Sequence, residues 1–272
     1  MVNNPIGVFD SGLGGLTALK RLAELLPHEE LVYLGDTGRV PYGSRSRETI
    51  IKYAREDARF LLSHNIKAMV VACNTVSAAA LNVLRDEIDV PVFAVVEPPA
   101  ARAAAVTRND KIGVIGTAAT IRSGAYETAI AAENAALEVI SVACPLFVPL
   151  VENGRTDAQD VAVAAIAGDY LQPIIEFGAD TVILGCTHYP LLRNAIARVL
   201  GGGVTLVDSG AVTAETVAER LREAGLLLDA PQTAGAGRRR YYVTDSAEDF
   251  AALASRFLEA DISGTVEQIS LG

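Results

Sequence analysis

The sequence is poor in sulfur and has no tryptophan: its 272 residues include two methionines and three cysteines. Cys73, Cys144 and Cys186 are an odd, widely spaced set without a Cys-x-x-Cys pair. This pattern excludes a disulfide framework and lacks the ligand spacing of a zinc site. We therefore expect free thiols, no bound metal, and the reducing cytoplasm as the compartment.

Positive charge is also scarce. The chain carries 23 Lys and Arg against 33 Asp and Glu, a net charge of −10. Binding to nucleic acid or to an anionic membrane needs clustered basic side chains. The one basic run, Arg238 to Arg240, is expected to be a solvated loop. The composition argues against nucleic acid and membranes as partners.

Long apolar runs are absent. Residues 1–10 lack the basic and apolar segments of a signal peptide, and no stretch approaches the ~18 uninterrupted apolar residues of a membrane-spanning helix. Half of the residues are nevertheless hydrophobic. A chain of this length can bury them in a core without disulfides or metal ions.

The apolar residues are instead concentrated in nine short, β-branched runs, each followed by a turn signal and a segment with helical periodicity. These runs are Ile6 to Phe9, Leu31 to Leu34, Ala68 to Ala72, Val90 to Ala94, Lys111 to Ile115, Leu137 to Ala143, Thr181 to Leu184, Val204 to Val207 and Tyr241 to Thr244. Continuous apolar strands that alternate with helices are typical of parallel sheets. Nine strands are too many for one compact sheet, so we predict an α/β protein with two similar doubly wound, mainly parallel domains facing each other across a cleft.

Two features divide the chain. The Pro-containing stretch Val96 to Pro99 reads as a stiff connector, because a residue before proline avoids the helical conformation. Val8 to Gly12 is echoed by Leu206 to Gly210, each a strand that ends in Asp-Ser-Gly before a helix. The predicted domains are residues 1–97 together with 209–272, and residues 98–208. The most linker-like stretch is 224–237, rich in Ala, Gly and Leu.

Two cysteines stand in matching positions. Cys73 and Cys186 each follow a predicted strand and precede polar residues and a helix. Ligands of open α/β sheets bind at the carboxyl ends of strands, and a helix N-terminus lowers the pKa of a thiol. Either cysteine alone could be a small buried hydrophobe; for both together that interpretation is weaker. We expect Cys144 to be a small buried hydrophobic residue of the core.

Asp10 and His188 are the candidate groups for adjusting the pKa values of these thiols. His188 follows Cys186 by two residues and can exchange a proton with it. Asp10 opens a glycine-rich turn that resembles a dinucleotide loop, with Asp36 in the place of the ribose-binding acid. Thr17 occupies the third glycine position, so this fingerprint is incomplete and we expect no dinucleotide. Gly14 and Gly15 are equally consistent with a tight turn and close packing.

Two further loops follow strands. Residues 35–46 are long for a crossover, and amides around Gly43 can hold a carboxylate; a turn-rich connector capped by Ser46 is an equal alternative. Residues 116–126 carry Thr117, Thr120 and Ser123, whose hydroxyls can bind an anion or cap a helix. Capping is the more common role for each hydroxyl singly.

Two thiols that face each other across a cleft suit two-base proton transfer at a carbon. One thiolate removes a proton from one face, and the opposing thiol returns a proton to the other. Because each group must act as base in one direction and acid in the other, pKa values near the operating pH suit the task.

The motifs as a set closely resemble the glutamate racemases. They are Asp-Ser-Gly-x-Gly-Gly at 10–15, Gly-Asp-Thr with Pro-Tyr-Gly at 35–43, Cys-Asn-Thr at 73–75, Thr-x-x-Thr-x-x-Ser at 117–123 and Gly-Cys-Thr-His-Tyr-Pro-Leu-Leu at 185–192. The resemblance covers nearly the whole chain. It implies cofactor-independent interconversion of L- and D-glutamate, which supplies D-glutamate for peptidoglycan.

The resemblance also implies roles for individual residues. Cys73 and Cys186 are the two acid/bases, Asp10 assists Cys73, and His188 with Glu152 assists Cys186. The implied substrate contacts are Asp10, Ser11, Tyr42, Gly43, Asn74, Thr75, Thr117, Thr120, Thr187 and His188. We expect no metal or cofactor, a small-molecule substrate, and a homodimer.

The chain departs from the family pattern in small ways. Gly38 and Val40 replace bulkier or basic residues, which puts the shape of that loop in question. Some bacterial relatives carry an N-terminal extension linked to activation by a peptidoglycan precursor. Because nine residues precede Asp10, we expect no such activation.

Other functions remain open. An aspartate or other amino-acid racemase can share this fold, as can a one-cysteine decarboxylase or isomerase, although both cysteine turns argue against one-thiol chemistry. A nucleotide- or amino-acid-binding module with structural cysteines is a further alternative. Exchange of the Cα hydrogen in heavy water separates an enzyme from a binder.

Overall fold

The computed structural model describes residues 2–228 and 237–271, so residues 229–236 of the predicted linker lie outside the described part. The strands of the described residues are β1 (Ile6–Asp10), β2 (Leu31–Gly35), β3 (Ala68–Val71), β4 (Val92–Ala94), β5 (Lys111–Gly116), β6 (Glu138–Ala143), β7 (Thr181–Gly185), β8 (Thr205–Asp208), β9 (Arg239–Val243) and β10 (Val266–Gln268). The α-helices are α1 (Leu16–Leu25), α2 (Arg47–Ser63), α3 (Asn74–Glu87), α4 (Glu97–Val106), α5 (Ala118–Arg122), α6 (Ala125–Glu133), α7 (Phe147–Glu152), α8 (Val161–Phe177), α9 (Arg193–Leu200), α10 (Ser209–Glu223) and α11 (Ala247–Leu258).

The strands form two sheets, and every strand pair is parallel. One sheet has six strands in the order β10-β9-β2-β1-β3-β4, and the other has four in the order β6-β5-β7-β8. The prediction of two parallel α/β sheets is therefore confirmed, and each of the nine predicted runs overlaps a strand, with bounds that differ by at most two residues. β10 was missed because it is a three-residue edge strand whose last two residues are exposed, so it lacks an apolar run.

The chain passes between the two sheets twice. It leaves the six-stranded sheet after β4 and returns to it with β9. After β8, α10 packs against both α1 and α4. β1, β2, β3 and β7 are buried along their whole length, which explains why their sequences are continuously apolar.

Two local predictions were wrong. The stretch Val96 to Pro99 is no extended connector, because α4 begins at Glu97 and its first turn takes the prolines. The missing amide hydrogen of a proline costs nothing there. The basic run is no loop either: Arg239 and Arg240 lie in β9, and Arg240 Nε is 2.9 Å from Glu30 Oε1. Within the described residues, no helix combines the length and apolar character needed to cross a bilayer.

Candidate active site

The turns that follow β1, β3 and β7 meet at one cavity of about 480 Å³. The cavity brings together both matched cysteines and most of the predicted contacts. The predicted residues that line it are Ser11, Tyr42, Gly43, Cys73, Asn74, Thr75, Thr117, Glu152, Cys186, Thr187 and His188. Asp10 and Thr120 do not line it. Two thiols from different sheets therefore share one cavity.

Cys73 is the residue immediately before α3, at the end of the turn after β3. Its side chain is buried, and the sulfur lies 3.6 Å from Ser11 Oγ. Burial and the negative charge of Asp10 raise the pKa of Cys73 to about 12. The prediction of a lowered pKa was wrong for this thiol, because desolvation outweighs the helix N-terminus and the bonds that favour the thiolate.

Asp10, the last residue of β1, lies against the Cys73 thiol and is 1% exposed. The amide of Gly12 donates to Asp10 Oδ2 at 3.0 Å. Burial raises the pKa of Asp10, and the positive charge of His188 opposes that effect. Asp10 Oδ1 has no hydrogen-bond partner among the described residues. Because Asp10 is buried and does not line the cavity, it affects Cys73 through its charge.

Cys186 has a different environment. The sulfur lies 4.0 Å from His188 Nδ1, and His188 Nε2 donates to Glu152 Oε1 at 3.1 Å. Burial alone would lower the pKa of His188, but its bonds to Cys186 and Glu152 raise it to about 10. The ring is therefore an imidazolium at neutral pH. Cys186 was predicted to stand at the start of a helix. The structure instead has a 3₁₀ turn over Tyr189–Leu192 between Cys186 and α9.

The Thr187-His188 turn is held by the first glycine turn of the six-stranded sheet. A Cβ atom on Gly14 would lie 2.0 Å from Thr187 Oγ1 and 2.6 Å from His188 Nδ1, so only glycine fits. Thr17 Oγ1 lies 3.1 Å from the Thr187 carbonyl oxygen and 2.9 Å from that of Gly14. The ring of Phe257 packs edge-on against His188 with centroids 5.8 Å apart. The position of His188 thus depends on residues distant in sequence.

Gly15 has a similar packing role beside Asp10. A Cβ atom there would lie 2.5 Å from Asp10 Cβ. The packing interpretation of Gly14 and Gly15 is confirmed, and their contacts explain how it serves the site. Tyr33 Oη donates to the Gly12 carbonyl at 2.7 Å and stabilises the same turn.

Asn74 is oriented by two residues that the sequence analysis did not assign. Tyr126 Oη donates to Asn74 Oδ1 at 2.6 Å, and Asn74 Nδ2 donates to Ser209 Oγ at 3.4 Å. Tyr126 Oη also lies 2.8 Å from the Val95 carbonyl oxygen. The Asp-Ser-Gly echo marked Ser209, but its contact with Asn74 depends on how the two sheets pack.

The threonine turn after β5 has the predicted capping role. Thr117 accepts a hydrogen bond from the Thr120 amide at 3.3 Å and caps α5. Thr117 Oγ1 also lies 3.1 Å from Thr75 Oγ1 across the cavity. Thr120 Oγ1 lies 3.0 Å from Thr117 Oγ1, behind the cavity wall. Thr120 therefore acts on the cavity only through Thr117.

The long loop after β2 is anchored by buried charge. Arg39 Nε lies 2.5 Å from Asp36 Oδ2, and Arg39 Nη2 lies 3.0 Å from Asp57 Oδ1, with Glu56 as a third partner. Tyr42 Oη donates to Asp36 and lies 3.2 Å from Asp57 Oδ2. Burial and the charge of Asp36 raise the pKa of Asp57 well above its usual range. Asp36 thus anchors the loop that carries Tyr42.

Both interpretations of this loop hold in part. The Ser46 hydroxyl accepts from the Thr49 amide and caps α2 as predicted. Val40 and Gly43 line the cavity, so the loop is also part of the site. The Gly38 amide donates to Thr244 Oγ1 at 2.8 Å, and a Cβ atom on Gly38 would lie 3.0 Å from the Thr244 carbonyl oxygen. The small residue at 38 thus lets the loop dock on the turn after β9.

Cys144 is a core residue, as predicted. It is fully buried, its sulfur lies 3.7 Å from the Val142 carbonyl oxygen, and burial raises its pKa to about 12. The described residues contain no cluster of three or more His, Cys, Asp and Glu side chains suited to hold a metal ion.

Comparison with known proteins extends these observations. Residues 7–217 match the family model of Asp/Glu/Hydantoin racemase. A glutamate racemase from Geobacter metallireducens is 50% identical over 266 residues, 98% of this chain and 96% of the relative. The crystal structure of a glutamate racemase isoform from Bacillus anthracis has a TM-score of 0.92 at 40% identity and covers 98% of both chains. A glutamate racemase from Francisella tularensis, solved in complex with D-glutamate, has a TM-score of 0.91 at 37% identity, over 100% of this chain and 99% of that one.

Proposed function

The chain belongs to the Asp/Glu/Hydantoin racemase family, and from that membership we propose that it interconverts L- and D-glutamate without a cofactor. The observation that carries the proposal is the cavity, which contains two thiols from different sheets, each with its own charged partner. Relatives named glutamate racemase match nearly the full length, which favours glutamate over aspartate as the substrate.

The proposed reaction is a two-base proton transfer. One thiolate takes the α-proton, so a C–H bond breaks, an S–H bond forms and the electron pair remains on Cα. The opposing thiol then gives its proton to the other face, where a C–H bond forms and the configuration inverts. The step needs no oxidant, because only protons move.

The two thiols lie in different electrostatic surroundings. Cys73 is a neutral thiol at neutral pH because its pKa is raised to about 12, so it begins as a proton donor. The Cys186 sulfur lies 4.0 Å from His188 Nδ1, so this ring is placed to exchange a proton with it. In the reverse direction Cys73 must lose its proton. An α-ammonium group bound in the cavity would place positive charge near the Cys73 sulfur and favour its ionisation.

Substrate binding is assigned to the groups at the rim of the cavity. The hydroxyls of Ser11, Thr75, Thr117 and Thr187 and the amide of Asn74 supply hydrogen bonds for the carboxylates. The hydroxyl of Tyr42 is occupied by Asp36, so we assign the contact at 42–43 to the backbone. Asp10 and Thr120 lie behind the cavity wall, and Thr120 acts as support for Thr117.

The wider role is the supply of D-glutamate for peptidoglycan, in the cytoplasm, by a homodimer. We assign residues 1–97 and 209–272 to one domain and 98–208 to the other, in line with the strand order of the two sheets. Light scattering coupled to size exclusion tests the dimer, and a monomer at micromolar concentration would contradict it.

Racemisation of glutamate in heavy water tests the central proposal. The purified protein, without pyridoxal phosphate or added metal, is expected to convert each enantiomer into the other with solvent deuterium at Cα. Aspartate and alanine are run in parallel as substrate controls. Faster conversion of aspartate would identify an aspartate racemase, and absence of Cα exchange with every amino acid would leave a binding module.

A further inference from the structure

A second pocket adjoins the catalytic cavity and contains only positive charge. It has a volume of about 380 Å³ and is lined by Arg45, Arg47 and Arg122 together with Ser46, Thr75 and Ser123. Among the residues that the structure describes, no carboxylate lines it. We call it the arginine pocket. Thr75 lines both this pocket and the catalytic cavity, so the two adjoin at that residue.

The three arginines are available for a ligand. Arg39, by contrast, is paired with the buried carboxyl groups of Asp36 and Asp57. Arg45, Arg47 and Arg122 make no ion pair within 4.0 Å among the described residues. The nearest acid in sequence, Glu48, is bonded to Ser46 and the first turn of α2 and does not line the pocket.

The three come from two separate elements. Arg45 and Arg47 flank the N-terminal end of α2, and Arg122 ends α5, whose Thr117 cap contacts Thr75. Arg45, Arg47 and Arg122 are exposed, so solvent screens their mutual repulsion, and at low ionic strength a bound anion would be attracted to all three. The chain as a whole is acidic, with a net charge of −10, and would repel an anionic amino acid.

We propose that the arginine pocket is an anion-gathering site, where the carboxylate of an incoming acidic amino acid is held before it enters the catalytic cavity. The identity of the ligand rests on the proposed function, whereas the affinity for a carboxylate anion does not. A local positive field raises the concentration of an anionic substrate near the cavity and is screened by salt.

The test compares the wild type with Arg45→Gln/Arg47→Gln/Arg122→Gln. At low ionic strength, kcat/KM for glutamate is expected to fall about tenfold through KM, with kcat unchanged. Added salt lowers kcat/KM of the wild type and has a much smaller effect on the variant, so the two converge. The matched control, Arg59→Gln/Arg198→Gln/Arg222→Gln, removes the same charge from exposed positions that line neither cavity, and is expected to keep the wild-type salt dependence.

Glutarate, which has two carboxylates and no α-amino group, separates this proposal from the racemase proposal. Calorimetric titration is expected to give weaker glutarate binding to the pocket variant than to the control variant, whether or not the protein racemises glutamate. Equal glutarate affinity, an unchanged salt slope in the pocket variant, or the same loss in the control variant would each overturn the anion-gathering site. If the protein does not racemise glutamate but still binds glutarate more weakly in the pocket variant than in the control variant, only the proposed function is overturned.

Discussion

The backbone of Gly14 lies so close to Thr187 that a Cβ atom would stand 2.0 Å from the threonine hydroxyl oxygen. Gly14 belongs to the turn after β1, and Thr187 to the turn after β7. The contact joins the two sheets at the point where His188 faces Cys186. The arrangement of Cys186 and His188 therefore depends on the six-stranded sheet, which carries Gly14.

Gly14→Ala is expected to lower kcat about 10- to 100-fold, because the added methyl group must displace Thr187 and the His188 ring. Steady-state racemisation in both directions measures the effect. Gly168→Ala is the matched control, since a Cβ atom on this glycine of α8 meets no atom within 4 Å. Activity within about twofold of wild type in Gly14→Ala would show that the contact is dispensable.

Thr17→Val tests the same contact with a smaller change, since it removes the hydroxyl near the Thr187 carbonyl and keeps the side-chain volume. We expect a lower kcat and a shifted His188 ring resonance, and recovery of both in Thr17→Ser. The chain has three histidines, so His28 and His64 serve as internal references. Thr216→Val, which removes a hydroxyl bonded to the Val212 carbonyl in α10, is the control. An unmoved His188 signal in Thr17→Val would contradict a positioning role.

Cys73→Ala and Cys186→Ala are each expected to reduce racemisation by at least about 10²- to 10⁴-fold, because each removes one of two obligatory proton carriers. Cys144→Ala is the control, since this buried cysteine lies outside the cavity. Conversion of both enantiomers is followed by circular dichroism, with Cα deuterium content by mass spectrometry. Wild-type turnover in either active-site variant would rule out the two-thiol mechanism.

The pKa of His188 predicts an alkaline limit to activity. Because the bonds to Cys186 and Glu152 raise this pKa to about 10, the imidazolium is present at neutral pH and is lost as pH rises through about 10. Glu152→Gln removes a carboxylate that raises the pKa of His188. The alkaline limb of the kcat/KM profile is therefore expected to move to lower pH. NMR titration of the His188 ring gives the pKa directly. An alkaline limb at the same pH in both proteins would assign it to another group.

The same shift affects stability. The pKa of His188 is raised in the folded protein above the usual value of 6.5. Its stabilising contribution is therefore complete below about pH 6.5 and is lost as pH rises through about 10. The difference in unfolding free energy between wild type and His188→Gln should shrink over that range. A difference that is constant with pH would mean that His188 is not charged in the folded state.

Arg39→Gln is expected to destabilise the fold by about 3–5 kcal/mol, because it leaves Asp36 and Asp57 buried without their counter-charge. It should also raise KM, since the loop that carries Tyr42 loses its anchor. Urea denaturation and steady-state kinetics measure the two effects. Arg59→Gln, an exposed position on the same helix as Asp57, is the control. Unchanged stability in Arg39→Gln would mean that the carboxylates are protonated or find other partners.

Much of the fold follows from local pattern. Continuous apolar runs between helical segments locate nine strands, since a strand buried on both faces must be apolar at every position. Cys73, Cys186, Asp10 and Thr117 are recognisable because they stand at or next to the carboxyl ends of strands, where open α/β sheets bind their ligands. Capping by Ser46 and Thr117 is equally local, because a hydroxyl and an amide three residues later satisfy one another.

Only the tertiary structure decided how those residues act together. The thiol of Cys73 has a raised rather than a lowered pKa because burial and Asp10 outweigh the helix end, and burial depends on what packs above the turn. Asp36 anchors a loop because Arg39 and Asp57 converge on it in space. His188 is placed by Gly14 and Phe257, which lie far away in the sequence. Local pattern thus determined the strands and the candidate residues, whereas charge state and orientation were set by desolvation and by contacts between the two sheets.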